Sequence, residues 1–176
     1  TLVDRLAYYK INHLQLYVEH AFAFSFIPEL WQNKDPLTAQ DILELDRYCR
    51  HRFIDLVPSL ATFGHLYELL RLPRFEHLNE LDIRASTLPH NLWDRMAHYT
   101  IDVSQGQSFD LIKSMIDEYI PLFSSKYANL CCDETFDLGK GKNRDRAAQA
   151  GVGRLYTDFV KQLCATVASH GKTPML

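Results

Sequence analysis

Two periods alternate along the chain. Residues 11–18 (INHLQLYV) place Leu14, Leu16 and Val18 on one side and His13, Gln15 and Tyr17 on the other, the two-residue period of a strand. Residues 3–9 before it read as the end of a helix, and residues with Pro28, Trp31 and Asn33 after it read as a loop. Residues 38–53 switch to helical spacing: Thr38 and Asp41 form a capping-box pattern, and Ile42, Leu45 and Cys49 make an apolar stripe. A second short strand is expected over 54–60, where Pro58 should mark a bulge or the strand's end because it cannot donate to a ladder. Gly64 then turns the chain into a short helix over 65–72, and the irregular stretch 73–103 reads as an insertion carrying Trp93. Residues 108–123 repeat apolar side chains at helical spacing, 127–132 (YANLCC) read as a third strand, and 145–170 read as one long helix closed by Gly171. Residues 173–176 open a fourth strand.

Strands separated by helical crossovers make parallel pairing and an α/β fold the expectation. A doubly wound sheet and a (β/α)8 barrel share that local pattern. Polar residues gather at strand ends, where a barrel places its active site, and this favours the barrel. A complete barrel takes about 250 residues. The 176 residues here are therefore expected to form about half of one, roughly strands two to five with their helices.

Composition narrows the classes. Hydrophobic residues make up 47% and charged residues 23%, as in a globular domain with a real core. A net charge of -3 leaves no electrostatic footprint for nucleic acid or an anionic membrane, and no apolar run is long enough to cross a bilayer. Cys49, Cys131, Cys132 and Cys164 show no zinc spacing or disulfide framework, so no metal or cofactor is expected. Buried free thiols, with no visible signal peptide, point toward a reducing, cytoplasmic setting.

The strongest chemical candidate is Asp133-Glu134, directly after the third apolar run. Two carboxylates at the end of a buried strand are costly to desolvate without a purpose. The alternative is that they cap the next turn or pair with Lys140, Lys142 or Arg144. The run Gly139-Lys140-Gly141-Lys142 does not match the phosphate-loop spacing, and neither a serine nucleophile elbow nor an HExxH motif occurs.

Four segments, in order, resemble the catalytic barrel of family 20 glycoside hydrolases, the β-N-acetylhexosaminidase-like enzymes. Asn12-His13-Leu14-Gln15-Leu16-Tyr17 is similar to the family's second strand. Val57-Pro58-Ser59-Leu60-Ala61-Thr62-Phe63-Gly64-His65 is similar to its third, which runs through a Pro and ends in Gly-His. Leu130-Cys131-Cys132-Asp133-Glu134 keeps the Asp-Glu pair of the fourth strand but not its usual glycines, and Gly171-Lys172-Thr173-Pro174-Met175-Leu176 resembles the approach to the fifth. The resemblance implies one domain over residues 1–176, a piece of a single catalytic barrel whose remainder belongs to the parent chain, and inactivity of the piece alone.

It also implies substrates: glycosides of N-acetylglucosamine or N-acetylgalactosamine. The substrate's own 2-acetamido oxygen would act as nucleophile, the substrate-assisted exception to the usual two-carboxylate scheme. Glu134 would be the general acid and base, and Asp133 would orient the acetamido group. Glu19 continues the polar side of the first strand and is a candidate ligand for sugar hydroxyls, with His20 beside it, although the family more often has an Asp near this point. His65 would support the carboxylates or the sugar, and Trp31 and Trp93 could stack on sugar faces. Against these stand plainer roles: Glu19 a solvated loop charge, His65 a helix-start residue, and the tryptophans covers for a core edge. Two other functions remain open, a carbohydrate-binding barrel without catalysis and a retaining glycosidase using two protein carboxylates, with Glu19 as nucleophile.

Overall fold

The structure is a computed structural model and describes residues 1–82 and 91–176. The chain opens with α1 (Leu2–Tyr8), capped by Thr1 and Asp4. Then come β1 (His13–Val18), the single turn α2 (Pro28–Trp31) and α3 (Ala39–Arg50). As the spacing predicted, Thr38 and Asp41 form a reciprocal capping box at the start of α3. Next are β2 (Asp55–Leu60), α4 (Tyr67–Leu70), α5 (Leu92–Ala97), α6 (Gly106–Tyr119), β3 (Tyr127–Asn129), α7 (Arg144–Ala150), α8 (Val152–Ser169) and β4 (Thr173–Met175).

All four strands are parallel, in the spatial order β1-β2-β3-β4. A doubly wound sheet reverses its strand order at a switch point, whereas a barrel adds each strand beside the last. The sequential order is therefore that of a barrel arc, a distinction the local periodicity could not make. One apolar cluster includes Leu56, Ala128 and Leu130 together with Ile42 and Cys49 of α3, Ile112, Met115 and Ile116 of α6, and Leu163 and Val167 of α8, all buried. The alternation in β1 is kept: Val18 is buried and Leu14 and Leu16 half-buried, while His13, Gln15 and Tyr17 are exposed on the other face.

Pro58 corrects one expectation. It lies inside an unbroken six-residue register with β1, opposite Leu16, and marks neither a bulge nor an end. Asp55 N donates to Asn12 O (2.8 Å) and Ala61 N to Val18 O (3.0 Å), so odd-numbered residues of β2 bond to β1 and even-numbered ones face β3. The donor that Pro58 lacks would point at β3, where only Ser59 and Asn129 are paired.

Other boundaries shift as well. The long helix expected over 145–170 is two helices, because Gly151 takes φ 84° and ψ 144°, a conformation that no helix accommodates. The third strand stops at Asn129 rather than Cys132, and the helix after Gly64 is the single turn α4. The loop around Trp31 contains α2. Within the stretch 73–103 lie a 3-10 turn (Glu76–Leu78) and α5, while residues 83–90 lie outside the described residues. Among the described residues no helix is long and apolar enough to cross a membrane.

Candidate active site

The ends of β1, β2 and β3 form one rim. Beyond β2, Thr62 donates its hydroxyl to Leu130 O, tying the second strand's exit to the third's. Gly64 then passes so close to the acidic pair that a Cβ there would lie 2.6 Å from Asp133 O and 3.2 Å from Glu134 O. Only a residue without a side chain allows that approach. His65 follows in the left-handed region (φ 58°), which aims its ring back across the rim.

Beyond β3 the chain leaves extended geometry at once. Cys131 has φ 43° and Glu134 has φ 49°. Asn129 Oδ1 accepts from Cys131 N (3.0 Å), a local turn that fixes the bend. The bend has a chemical consequence. In a continuing strand, residues 133 and 134 would point to opposite faces. Here both carboxylates reach one imidazole: His65 Nε2 is 3.1 Å from Glu134 Oε2 and 3.7 Å from Asp133 Oδ2.

The acidic pair is not desolvated, contrary to what its place after a buried strand suggests. The Asp133 side chain is 65% exposed and that of Glu134 35%, while His65 is 11% exposed. The carboxylates open to solvent, and the imidazole that both approach is the mostly buried member. Two of the three alternative partners are engaged elsewhere. Lys142 Nζ donates to His77 O, and Arg144 donates to Lys140 O (2.9 Å).

A pocket of about 520 Å³ opens at the end of β1, lined by Tyr17, Glu19, His20, Trp31, Lys34 and Glu68 among others. The Tyr17 hydroxyl donates to Glu19 Oε1 (3.0 Å). Partial burial of the half-exposed side chain, reinforced by the Glu19 carboxylate, raises the Tyr17 phenol well above its ordinary range, so it stays a donor. Trp31 Nε1 donates to Phe24 O (2.8 Å), which locks the indole at the pocket wall. Lys34 closes one side through Glu68 (3.3 Å).

His20 sits differently from the other candidates. Its ring packs edge-on against Tyr67 (4.5 Å between centroids), and Nε2 accepts from Glu68 N (3.4 Å). Burial, with help from Lys34 and Arg95, holds its pKa down to about 3. His20 is thus a neutral wall residue, and its 3.9 Å approach to Glu19 is not an ion pair. Trp93 is 72% exposed on α5 and does not line this pocket.

Sequence reasoning missed Tyr17, Lys34, Tyr67 and Glu68 as pocket residues, and Gly64 as a spacer. Tyr17 could have been found, since it shares Glu19's side in the alternation of β1. Lys34 and Glu68 could not, because a pocket wall shared by two loops has no local signature. All four cysteines are free. Burial raises the Cys131 thiol despite its 3.0 Å contact with Ser59 Oγ, and pushes the Cys132 thiol up to about 12, so both are poor nucleophiles. Among the described residues no group of three or more His, Cys, Asp or Glu side chains could hold a metal ion.

The family described as "Glycosyl hydrolase family 20, catalytic domain" matches residues 1–176. Hexosaminidase D of Homo sapiens is 26% identical over 164 residues, covering 90% of this chain and 31% of that protein. Hexosaminidase D of Bos taurus is 24% identical over 133 residues, covering 74% of this chain and 34% of its own length. The chain thus spans about a third of the curated relatives it matches. Among solved structures, a chitobiase from Flavobacterium johnsoniae superimposes with a TM-score of 0.81 at 21% identity, over 99% of this chain and 28% of that one. A mutant Streptomyces plicatus β-hexosaminidase in complex with its product GlcNAc gives a TM-score of 0.76 at 21% identity, over 98% of this chain and 34% of that one. At these identities the structural likeness establishes the fold, that of a partial (β/α)8 barrel.

Proposed function

The chain belongs to glycosyl hydrolase family 20, and from that premise we propose that residues 1–176 are part of one catalytic barrel that removes terminal N-acetylhexosamine from glycosides. The observation that carries this reading is the convergence of Asp133 and Glu134 on His65 at the carboxyl rim of parallel strands. The GlcNAc product bound to the Streptomyces relative suits the same substrate class.

In the proposed mechanism the substrate's 2-acetamido oxygen attacks the anomeric carbon while Glu134 protonates the departing glycosidic oxygen. Asp133 orients the acetamido group and faces the positive charge that develops on it. The resulting oxazolinium-like ring is opened by water, whose proton Glu134 takes, so the anomeric configuration is retained. His65, mostly buried and within 4 Å of both carboxylates, fixes their spacing. Glu19, held by Tyr17, offers an acceptor to sugar hydroxyls, and the locked indole of Trp31 offers an apolar face. The remaining strands come from the rest of the parent chain, so residues 1–176 alone are expected to be inactive.

The test is Glu134→Gln in the full-length protein. Hydrolysis of an aryl N-acetyl-β-glucosaminide should fall by about 10²- to 10⁴-fold, the usual contribution of a general acid, while binding of N-acetylglucosamine persists. Undiminished hydrolysis by the variant would remove Glu134 from the mechanism. A wild-type protein that binds the sugar but never cleaves it would indicate a binding barrel. Equal cleavage of substrates lacking the acetamido group would shift the nucleophile to a protein carboxylate such as Glu19.

A further inference from the structure

Glu80 lies 54 residues before Glu134 in sequence and outside the rim, yet its carboxylate is fully buried (0% exposed). Three backbone amides surround it. Gly139 N (3.1 Å), Gly141 N (3.3 Å) and Asn143 N (3.0 Å) all donate to Oε1, and Asn143 Nδ2 donates to Oε2. The glycine-bearing run after the acidic pair is therefore an anion nest, and its anion is a side chain of the same chain. The main chain is clamped too. Lys142 N donates to Glu80 O (2.9 Å), and a Cβ on Gly141 would lie 2.0 Å from that oxygen. Asn143 Nδ2 extends the network to Asp102 Oδ1 (2.7 Å).

The clamped segment is continuous with the acidic pair. Phe136 N donates to Glu134 O (2.8 Å), Leu138 N to Thr135 O (3.1 Å) and Lys140 N to Asp137 O (2.8 Å). These overlapping turns leave little slack between residue 134 and the nest. Glu134 itself is a non-glycine residue in the left-handed region, a conformation costing about 1–2 kcal/mol that persists only when its surroundings hold it. Gly64 presses on one side of the bend, and the nest anchors the other.

We propose that Glu80 is a positioning residue for Glu134: its buried carboxylate anchors the loop whose bend sets the reach of the acid toward His65 and the glycosidic oxygen. The inference rests on the reading of Glu134 as general acid. A residue acting this way changes the chemical step more than the binding of sugar.

The experiment compares Glu80→Ala, Glu80→Gln and Asn143→Ala with wild type in the full-length protein. It measures kcat and KM for an aryl N-acetyl-β-glucosaminide across pH, well below each variant's melting temperature. For Glu80→Ala, kcat should fall about 10- to 100-fold with KM within about threefold, the scale of a displacement approaching 1 Å. The alkaline limb of the pH profile, where a general acid loses its proton, should move as the Glu134–His65 contact changes. Glu80→Gln, which keeps one oxygen for the three amides, should recover part of the loss. Asn143→Ala, which deletes only a side-chain donor, should show a smaller loss of the same kind and serves if Glu80→Ala does not fold. Folded variants with wild-type kcat and pH profile, lowered only in melting temperature, would overturn the inference while leaving the function intact. Wild-type protein without hydrolysis would end the functional reading first, and this one with it.

Discussion

Gly64→Ala adds one methyl group at the tightest contact near the acidic pair. The new Cβ would sit 2.6 Å from Asp133 O and 3.3 Å from the Glu134 carbonyl carbon, where ordinary contact begins at 3.4 Å. The atoms in the way are backbone, so no side chain can swing aside, and a shift of about 0.8 Å is required. Gly64 is not in the left-handed region, so the cost is steric rather than torsional. Overpacking of this size costs about 1–3 kcal/mol of stability. A misplacement near 1 Å in a catalytic group costs about 100-fold in rate, or about 2.7 kcal/mol of barrier. The prediction is a kcat lowered about 30- to 100-fold on an aryl N-acetyl-β-glucosaminide, with a lowered melting temperature. Gly106→Ala is the control. Its Cβ would meet nothing within 4 Å at the first turn of α6, and both activity and stability should be kept. A Gly64→Ala protein with kcat within threefold of wild type would refute the claim that this contact sets the position of the pair.

Two further outcomes concern stability. His20 is held near pKa 3 in the fold against about 6.5 when unfolded. Between those values only the unfolded chain binds the proton, so stability rises with pH across the window and is lost as pH falls. Lowering pH from 6.5 to 5 should remove about 2 kcal/mol through this group, visible as a drop in melting temperature that His20→Gln lessens; identical slopes in both proteins would exclude His20 as the source. Gly151→Ala should cost about 1–3 kcal/mol through backbone torsion alone, because φ is 84° and nothing lies within 4 Å of the added carbon. Its melting temperature should fall while kcat holds, and an unchanged melting curve would contradict the torsional account.

Much of the framework was legible because it depends on neighbours in sequence. The alternation of residues 13–18 assigns the faces of β1, and Thr38 with Asp41 marks the start of α3 through a bond spanning three residues. The errors come where distant structure decides. Pro58 is tolerated in mid-strand because its missing donor faces a thinly paired neighbour, which no local pattern discloses. Gly151 stands between a turn of good helix formers, residues 144–150, and an apolar stripe that begins at Val152, so composition and periodicity alone read the two as one helix. In the site, Asp133, Glu134 and His65 stood out by their places at strand ends. Glu80 could not, since its partners are amide groups some 60 residues away and every residue type has an amide.

The site's geometry follows from how little strand there is to support it. β3 has three residues and ends before the acidic pair. A longer strand would be stiffer, but its pleat would send the two carboxylates to opposite faces. Bringing them together requires leaving the sheet, and leaving the sheet forfeits the ladder bonds that hold a strand in place. Other contacts must then hold the bend: a glycine from the loop after β2 on one side, and a buried carboxylate bound by the loop's own amides on the other. Both contacts engage backbone atoms of the loop. The side chains of Asp133 and Glu134 take no part in either contact and open to solvent.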